Sequence, residues 1–176
     1  MHNQKSFLEK HIKTECVMSL IVPRGYQESN PYDLTYCPID QENIAAFCKQ
    51  DFIHASVLAN GRYIGVLHGG VPVAFLGIVL KGEKAAFFHV KRSDICFHNL
   101  FVFPEWRGKG VMGNAMSHCI CEYFPKDRDE MRVSLYVRRD NESAIRCYTK
   151  LGFRQTGQVK VLRLARDYYM FPKRII

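Results

Sequence analysis

Residues Pro104-Glu105-Trp106-Arg107-Gly108-Lys109-Gly110-Val111-Met112-Gly113 join an apolar strand pattern to a helical one through a Gly-rich turn with two cations. A helix start presents unpaired backbone N–H groups and the positive end of its dipole. Glycines let an anion approach that backbone closely. The spacing therefore predicts a phosphate site at the start of the helix, flanked by Arg107 and Lys109. A plain tight turn would explain the glycines and leave the two cations unused.

Gly108, Gly110 and Gly113 also spell the dinucleotide pattern. That reading needs the glycines directly after the strand and an acidic residue closing the next one. Here four residues intervene, and Asp127, Asp129 and Glu130 precede the next strand instead. A nicotinamide or flavin site is therefore disfavoured, and the Walker pattern is absent.

The second stretch runs from Asp140 to Phe153. Asn141 and Tyr148 stand seven apart, so a helix places them on one face, with Ala144 and Ile145 between. Asn141 or Asp140 can also serve as the helix N-cap. A phenol has a reference pKa near ~10 and a thiol near ~8.5. Tyr148 thus stays protonated at neutral pH and can donate to a developing thiolate. His98 lies on the strand leading to the Gly-rich turn. By period two it shares a face with Cys96, Leu100 and Val102, and it is a candidate base, with His68, His89 and Asp94 as weaker ones.

The elements that must position these residues follow from patterning. Phe7, Leu8, Ile12, Cys16 and Leu20 are spaced to share a face, which predicts an amphipathic helix over 5–20. Residues 1–30 then form an N-terminal helical extension docked on a main domain of residues 31–176. A short strand is expected over 33–37 and a helix over 38–49, started by Asp40 with Asn43 three residues on. Residues 63–68 and 71–80 flank Gly69-Gly70, a hairpin signal. Further strands are expected over 85–90 and 95–103, and helices over 108–124 and 141–151 with Gly152 as terminator. Strands complete the chain over 131–137 and from Phe153 onward. The order gives an α/β fold around a mixed sheet.

Composition bounds the rest. The chain has 176 residues, enough for one domain with a substantial core. Nearly half of them are apolar and 24% are charged, a globular balance that is neither disordered nor membrane-spanning. The N-terminus is not a convincing signal peptide. A net charge of +8 favours acidic partners such as phosphates. Seven cysteines without CxxC spacing point to a reducing, cytoplasmic compartment, and no metal-ligand pattern occurs. Arg163, Arg166, Lys173 and Arg174 make the C-terminal region basic, which suits a phosphorylated or nucleotide-linked amino sugar or an acidic peptide.

Taken together, the two stretches resemble the GNAT acetyltransferases. Pro104 to Gly110 is similar to that family's Arg/Gln-x-x-Gly-x-Gly/Ala loop. Asn141-Glu142-Ser143-Ala144-Ile145-Arg146-Cys147-Tyr148-Thr149-Lys150-Leu151-Gly152-Phe153 matches its Asn-x-x-Ala-x-x-x-Tyr-x-Lys-x-Gly-Phe helix. The resemblance implies a GNAT fold with a mixed central sheet flanked by helices. It also implies an N-acetyltransferase using acetyl-CoA as co-substrate, without metal. The cofactor pyrophosphate would rest on the backbone of Arg107, Gly108, Lys109, Gly110, Val111 and Met112. The pantetheine arm would run along Leu100, Phe101 and Val102, Asn141 would contact it, and Tyr148 would donate a proton, or a hydrogen bond, to the departing thiolate. A primary amine would attack directly in a ternary complex.

Two positions depart from that pattern. Met112 stands where the loop has Gly or Ala. Tyr136 stands where branches that acetylate protein N-termini place a Glu. Without a strong base, the less basic amine is favoured. Near pH 7, freeing a lysine-like amine costs roughly 4.6 kcal/mol and an α-amine about 1 kcal/mol. The alternatives are a non-catalytic acyl-CoA-binding sensor or interaction module and, less favoured, nucleic-acid binding by the basic surface. A homodimer is compatible with either enzyme or sensor.

Overall fold

A computed structural model describes residues 12–28, 30–47, 62–83, 93–164 and 167–172. The described residues divide into two compact units, one within residues 21–133 and the other comprising 12–20 with 134–172.

In the first unit, strand β2 (Leu34–Pro38) leads to a helical turn, α1 (Ile44–Phe47). The expected cap forms. Asp40 Oδ1 accepts from the N–H groups of Glu42 and Asn43, while Asn43 Oδ1 accepts from Asp40 N–H. The remainder of the helix expected to residue 49, and the strand expected over 85–90, fall outside the described residues. Strands β3 (Arg62–His68) and β4 (Val71–Leu80) form the expected hairpin. Gly69 and Gly70 both take positive φ, 55° and 78°, as a tight two-residue turn requires. Strand β5 (Ile95–Val102) pairs antiparallel with β4, giving the order β2-β3-β4-β5.

Cross-strand register sorts the side chains of this sheet into two faces. Cys37 pairs with Gly65, Gly65 with Phe75, and Phe75 with Phe101. Tyr63 pairs with Gly77, and Gly77 with His98. Paired residues share a face, so all of these lie on one side. There Ile39, Ile44, Phe47, Tyr63 and Phe75 form a buried cluster that Cys37, Leu67 and Phe101 extend. The opposite face carries Tyr36, Val66 and Ala74. Helix α2 (Val111–Glu122) packs against β4 and β5, and its His118 stacks on Tyr36 with ring centroids 3.8 Å apart.

Two glycines in this unit are needed for space. The Phe47 ring lies over Gly65 and the His98 ring over Gly77, where an added Cβ would stand only 2.3 Å from His98 Cε1. Gly77→Ala is therefore expected to destabilise the protein by about 1–3 kcal/mol in urea unfolding, as overpacked cores do. The double variant Gly77→Ala/His98→Ala should recover part of that loss. A Gly77→Ala protein as stable as wild type would show that the ring is not fixed against this strand.

Strand β6 (Glu130–Arg138) begins in the first unit and ends in the second. The second unit also holds β1 (Ile12–Pro23) as far as Leu20, helix α3 (Glu142–Lys150), β7 (Arg154–Leu164) and β8 (Asp167–Pro172), in the order β6-β1-β7-β8. β1 pairs antiparallel with β7, from Ile12 opposite Leu162 to Ser19 opposite Arg154, and β7 pairs antiparallel with β8.

This corrects the N-terminal helix. Residues 5–11 lie outside the described residues, but 12–23 are strand. A spacing of four satisfies both a helical face and a strand face, so Ile12, Cys16 and Leu20 fit either period. The burial of Met18 and Val22 beside Cys16 reveals period two.

Candidate functional site

The Gly-rich loop follows β5 through a single 3₁₀ turn, Pro104–Trp106. Arg107 folds back onto the strand it leaves. Its Nε donates to the Val102 carbonyl at 3.1 Å, and its guanidinium lies 5.6 Å from the centre of the Phe101 ring. Gly108 and Gly110 adopt φ of 77° and 78°, so each sits where a side chain is strained. This is why α2 starts at Val111 and not at residue 108 as the pattern suggested.

Gly110 is the N-cap of α2, and no side chain caps the helix. Nor does its first turn carry an acidic residue. The first-turn backbone donors thus meet no side-chain cap and no nearby acidic residue of their own helix. Met112 is buried with Val111, Ala115, Met116 and Cys119, so the core takes up its bulk. Lys109 Nζ sits 4.6 Å from the centre of the Trp106 ring, which packs 4.7 Å from His68. Trp106 therefore joins the loop to the end of β3, a contact the sequence did not signal.

In β5, the positions expected to carry a cofactor arm, Leu100, Phe101 and Val102, are half-buried. The strand contains a bulge. His98 opposes Gly77 and Phe101 opposes Phe75, so Asn99 and Leu100 together face one residue of β4. Asn99 takes a left-handed φ of 47°, a region Asn enters more readily than most side chains. The face assignment from simple alternation is thereby corrected: His98 shares its side with Phe101, not with Leu100 and Val102. An Asn inside a strand pattern was the available signal, because Asn is depleted from regular strands.

His98 is 4% exposed, and burial pushes its pKa down to about 4. Its Nδ1 lies 3.4 Å from the Tyr63 hydroxyl, which accepts a 2.7 Å hydrogen bond from Asn99 Nδ2. The ring is therefore neutral at pH 7. Because its pKa falls below the unfolded value near 6.5, the unfolded chain binds the extra proton as pH drops. Stability should decline between about pH 6.5 and 4, by ~3 kcal/mol in total at about 1.4 kcal/mol per pH unit. Urea unfolding of wild type and His98→Phe across that range checks this. The variant should lose the His98 share of the decline, and identical slopes would contradict it.

In the second unit, Asn141 is the N-cap of α3, its Oδ1 accepting from Ala144 N–H at 3.2 Å. The capping role seen in the sequence is thus realised. Just before it, Arg138 forms a two-point ion pair with Asp140. Tyr148 is the buried residue of this helix, at 8% exposure, while its neighbour Cys147 is exposed. Its ring meets Phe153 edge-on at 6.2 Å. Burial raises the Tyr148 pKa to about 12, so the phenol remains a donor across the physiological range. Gly152, with φ of 91°, ends the helix.

Among the described residues no cysteine is in a disulfide and no cluster suited to a metal occurs. Nor is any described helix long and apolar enough to cross a membrane. The side chains of Arg163, Arg166, Lys173 and Arg174 fall outside the described residues.

Comparison with known proteins gives a concordant picture. Residues 25–153 match the acetyltransferase (GNAT) family. An uncharacterised N-acetyltransferase of Methanocaldococcus jannaschii is 39% identical over 70 residues, covering 40% of this chain and 30% of that protein. The N-alpha-acetyltransferase RimI of Mycobacterium tuberculosis is 28% identical over 110 residues, 62% of this chain and 59% of its own length. The chain thus matches less than two thirds of either relative. Arabidopsis thaliana Naa50, solved in complex with the bisubstrate analogue CoA-Ac-MVNAL, shares the fold. Its TM-score is 0.55 at 17% identity, over 81% of this chain and 99% of that one.

Proposed function

Because this chain belongs to the acetyltransferase (GNAT) family, we propose that it transfers the acetyl group of acetyl-CoA to a primary amine, an α-amine in preference to a lysine. The observation that carries the reading is the start of α2. A left-handed Gly110 leaves the first-turn N–H groups without a side-chain cap, and Arg107 and Lys109 precede them in the loop.

In this reading the backbone of Arg107, Gly108, Lys109, Gly110, Val111 and Met112 receives the pyrophosphate. Leu100, Phe101 and Val102 pair with the pantetheine arm, and Asn141 contacts it while capping α3. Backbone donors near Val102 polarise the thioester carbonyl. The neutral amine adds to that carbonyl carbon, the C–S bond breaks, and the Tyr148 hydroxyl donates a hydrogen bond to the departing thiolate, which takes a proton from solvent as the amine gives one up.

A group with a pKa of about 4 is a weak base for an amine. His98 accordingly stays neutral here, and the amine proton passes to solvent. That loss is cheap for an α-amine, at about 1 kcal/mol near pH 7, and costly for a lysine. The names of two similar proteins support the preference: RimI is called an N-alpha-acetyltransferase, and Naa50 was solved with an analogue joining CoA to the peptide sequence MVNAL. Thiol release should therefore rise with pH as the amine deprotonates, and His98→Ala should keep that alkaline rise. A flattened profile in this variant would return the base role to His98.

A further inference from the structure

The bulge in β5 is held by a group of side chains that the proposed chemistry does not use. Asn99 Nδ2 donates to the Tyr63 hydroxyl at 2.7 Å, and that hydroxyl lies 3.4 Å from His98 Nδ1. Tyr63 is 2% exposed and meets His98 edge-on, with ring centroids 5.2 Å apart. His98 in turn lies flat over Gly77, where no side chain fits. The left-handed Asn99 is thus tied to a fixed point in the core.

The bulge has a definite consequence for the three residues after it. Successive strand residues alternate their side chains between faces, and their N–H and C=O groups between edges. One inserted residue exchanges both. With it, Phe101 opposes Phe75 and Val102 opposes Ala74. Without it, Leu100 and Val102 would share the face of His98, and the backbone groups of residues 100–102 would aim at the other edges.

We infer that Tyr63 is a positioning residue for the acyl donor, its hydroxyl holding Asn99 in the bulge that sets which way residues 100–102 present their backbone. This rests on the reading of β5 as the strand that carries the pantetheine arm. Tyr63 touches no reacting atom; it acts through Asn99, with His98 as the second partner of the hydroxyl.

Two measurements test it, one of them independent of cofactor. In the ligand-free protein, Tyr63→Phe keeps the ring in place and removes the hydroxyl. The backbone amide resonances of residues 99–102 should shift and exchange faster with solvent, while those of α2 stay in place. Asn99→Ala alters an exposed side chain and should shift the same amides, which keeps the test open if Tyr63→Phe fails to fold. Unmoved amides in both variants would overturn the inference.

The second measurement is acetyl-CoA affinity in a double-mutant cycle. Tyr63→Phe should weaken binding about fivefold, the order expected for one lost intramolecular hydrogen bond. In an Asn99→Gly background, glycine holds the left-handed turn without a tether. There the same change should weaken binding by less than about twofold. Equal effects in both backgrounds would overturn the inference. A wild-type protein that binds no acetyl-CoA would defeat the proposed function, and the amide shifts would still decide whether Tyr63 holds the bulge.

Discussion

Tyr148→Phe is expected to lower kcat by about 10²–10³-fold while leaving acetyl-CoA affinity within about twofold, the range for losing a positioned general acid. The substitution keeps the ring that meets Phe153 and removes the proton donor. A phenol buried to 8% exposure, with its pKa raised to about 12, is protonated throughout the working range. In the proposed reaction, release of a thiolate with a pKa near ~8.5 would thus be assisted by a donor that never titrates away. The sign has a second consequence. Because burial raises this pKa, Tyr148 should cause no alkaline loss of activity below about pH 11. Thiol release by wild type and variant across pH, with calorimetric titration of acetyl-CoA, measures both. A variant retaining more than half of wild-type kcat would remove Tyr148 from the chemistry and leave it a core aromatic.

Gly110→Val should have the complementary signature, a loss in donor binding. Gly110 holds φ of 78° at the N-cap of α2, and an added Cβ would meet nothing within 4 Å. Crowding is therefore not the cost. A β-branched residue is a poor occupant of the left-handed region, where an ordinary L-residue already costs roughly 1–2 kcal/mol. The loop is expected to relax toward negative φ and turn its N–H groups away from the phosphates. Acetyl-CoA affinity should fall by about tenfold or more, with unfolding stability reduced by no more than ~2 kcal/mol. Gly110→Asn, which tolerates the same backbone region, should retain most of the affinity. Unchanged affinity in the valine variant would mean that the pyrophosphate does not use this helix start.

These residues were legible because their chemistry is local. The turn from Pro104 to Gly113 fixes its own backbone through glycines, and the helix from Asn141 carries its own cap and terminator. The Gly69-Gly70 hairpin and the Asp40–Asn43 cap were readable for the same reason. What escaped depended on partners distant in sequence. Ile12, Cys16 and Leu20 suit a helix or a strand equally, and only pairing with β7 decides between them. The bulge at Asn99 is stabilised by Tyr63, 36 positions away, so simple alternation placed His98 beside the wrong neighbours. The depressed pKa of His98 arises from burial against a sheet that no local pattern reveals. The packing of Trp106 on His68, 38 positions earlier, likewise required the fold.

Acetyl transfer to an amine is read out by thiol release from acetyl-CoA in the presence of a panel of acceptors. The panel should contain peptides with a free α-amine, the same peptides with that amine blocked and a lysine present, and small amines. Acetyl-CoA should bind, thiol should be released with the free α-amines and little with the blocked peptides, and Tyr148→Phe should lose that release. Binding of acetyl-CoA with no release from any amine, or release that ignores Tyr148, would contradict the proposed function.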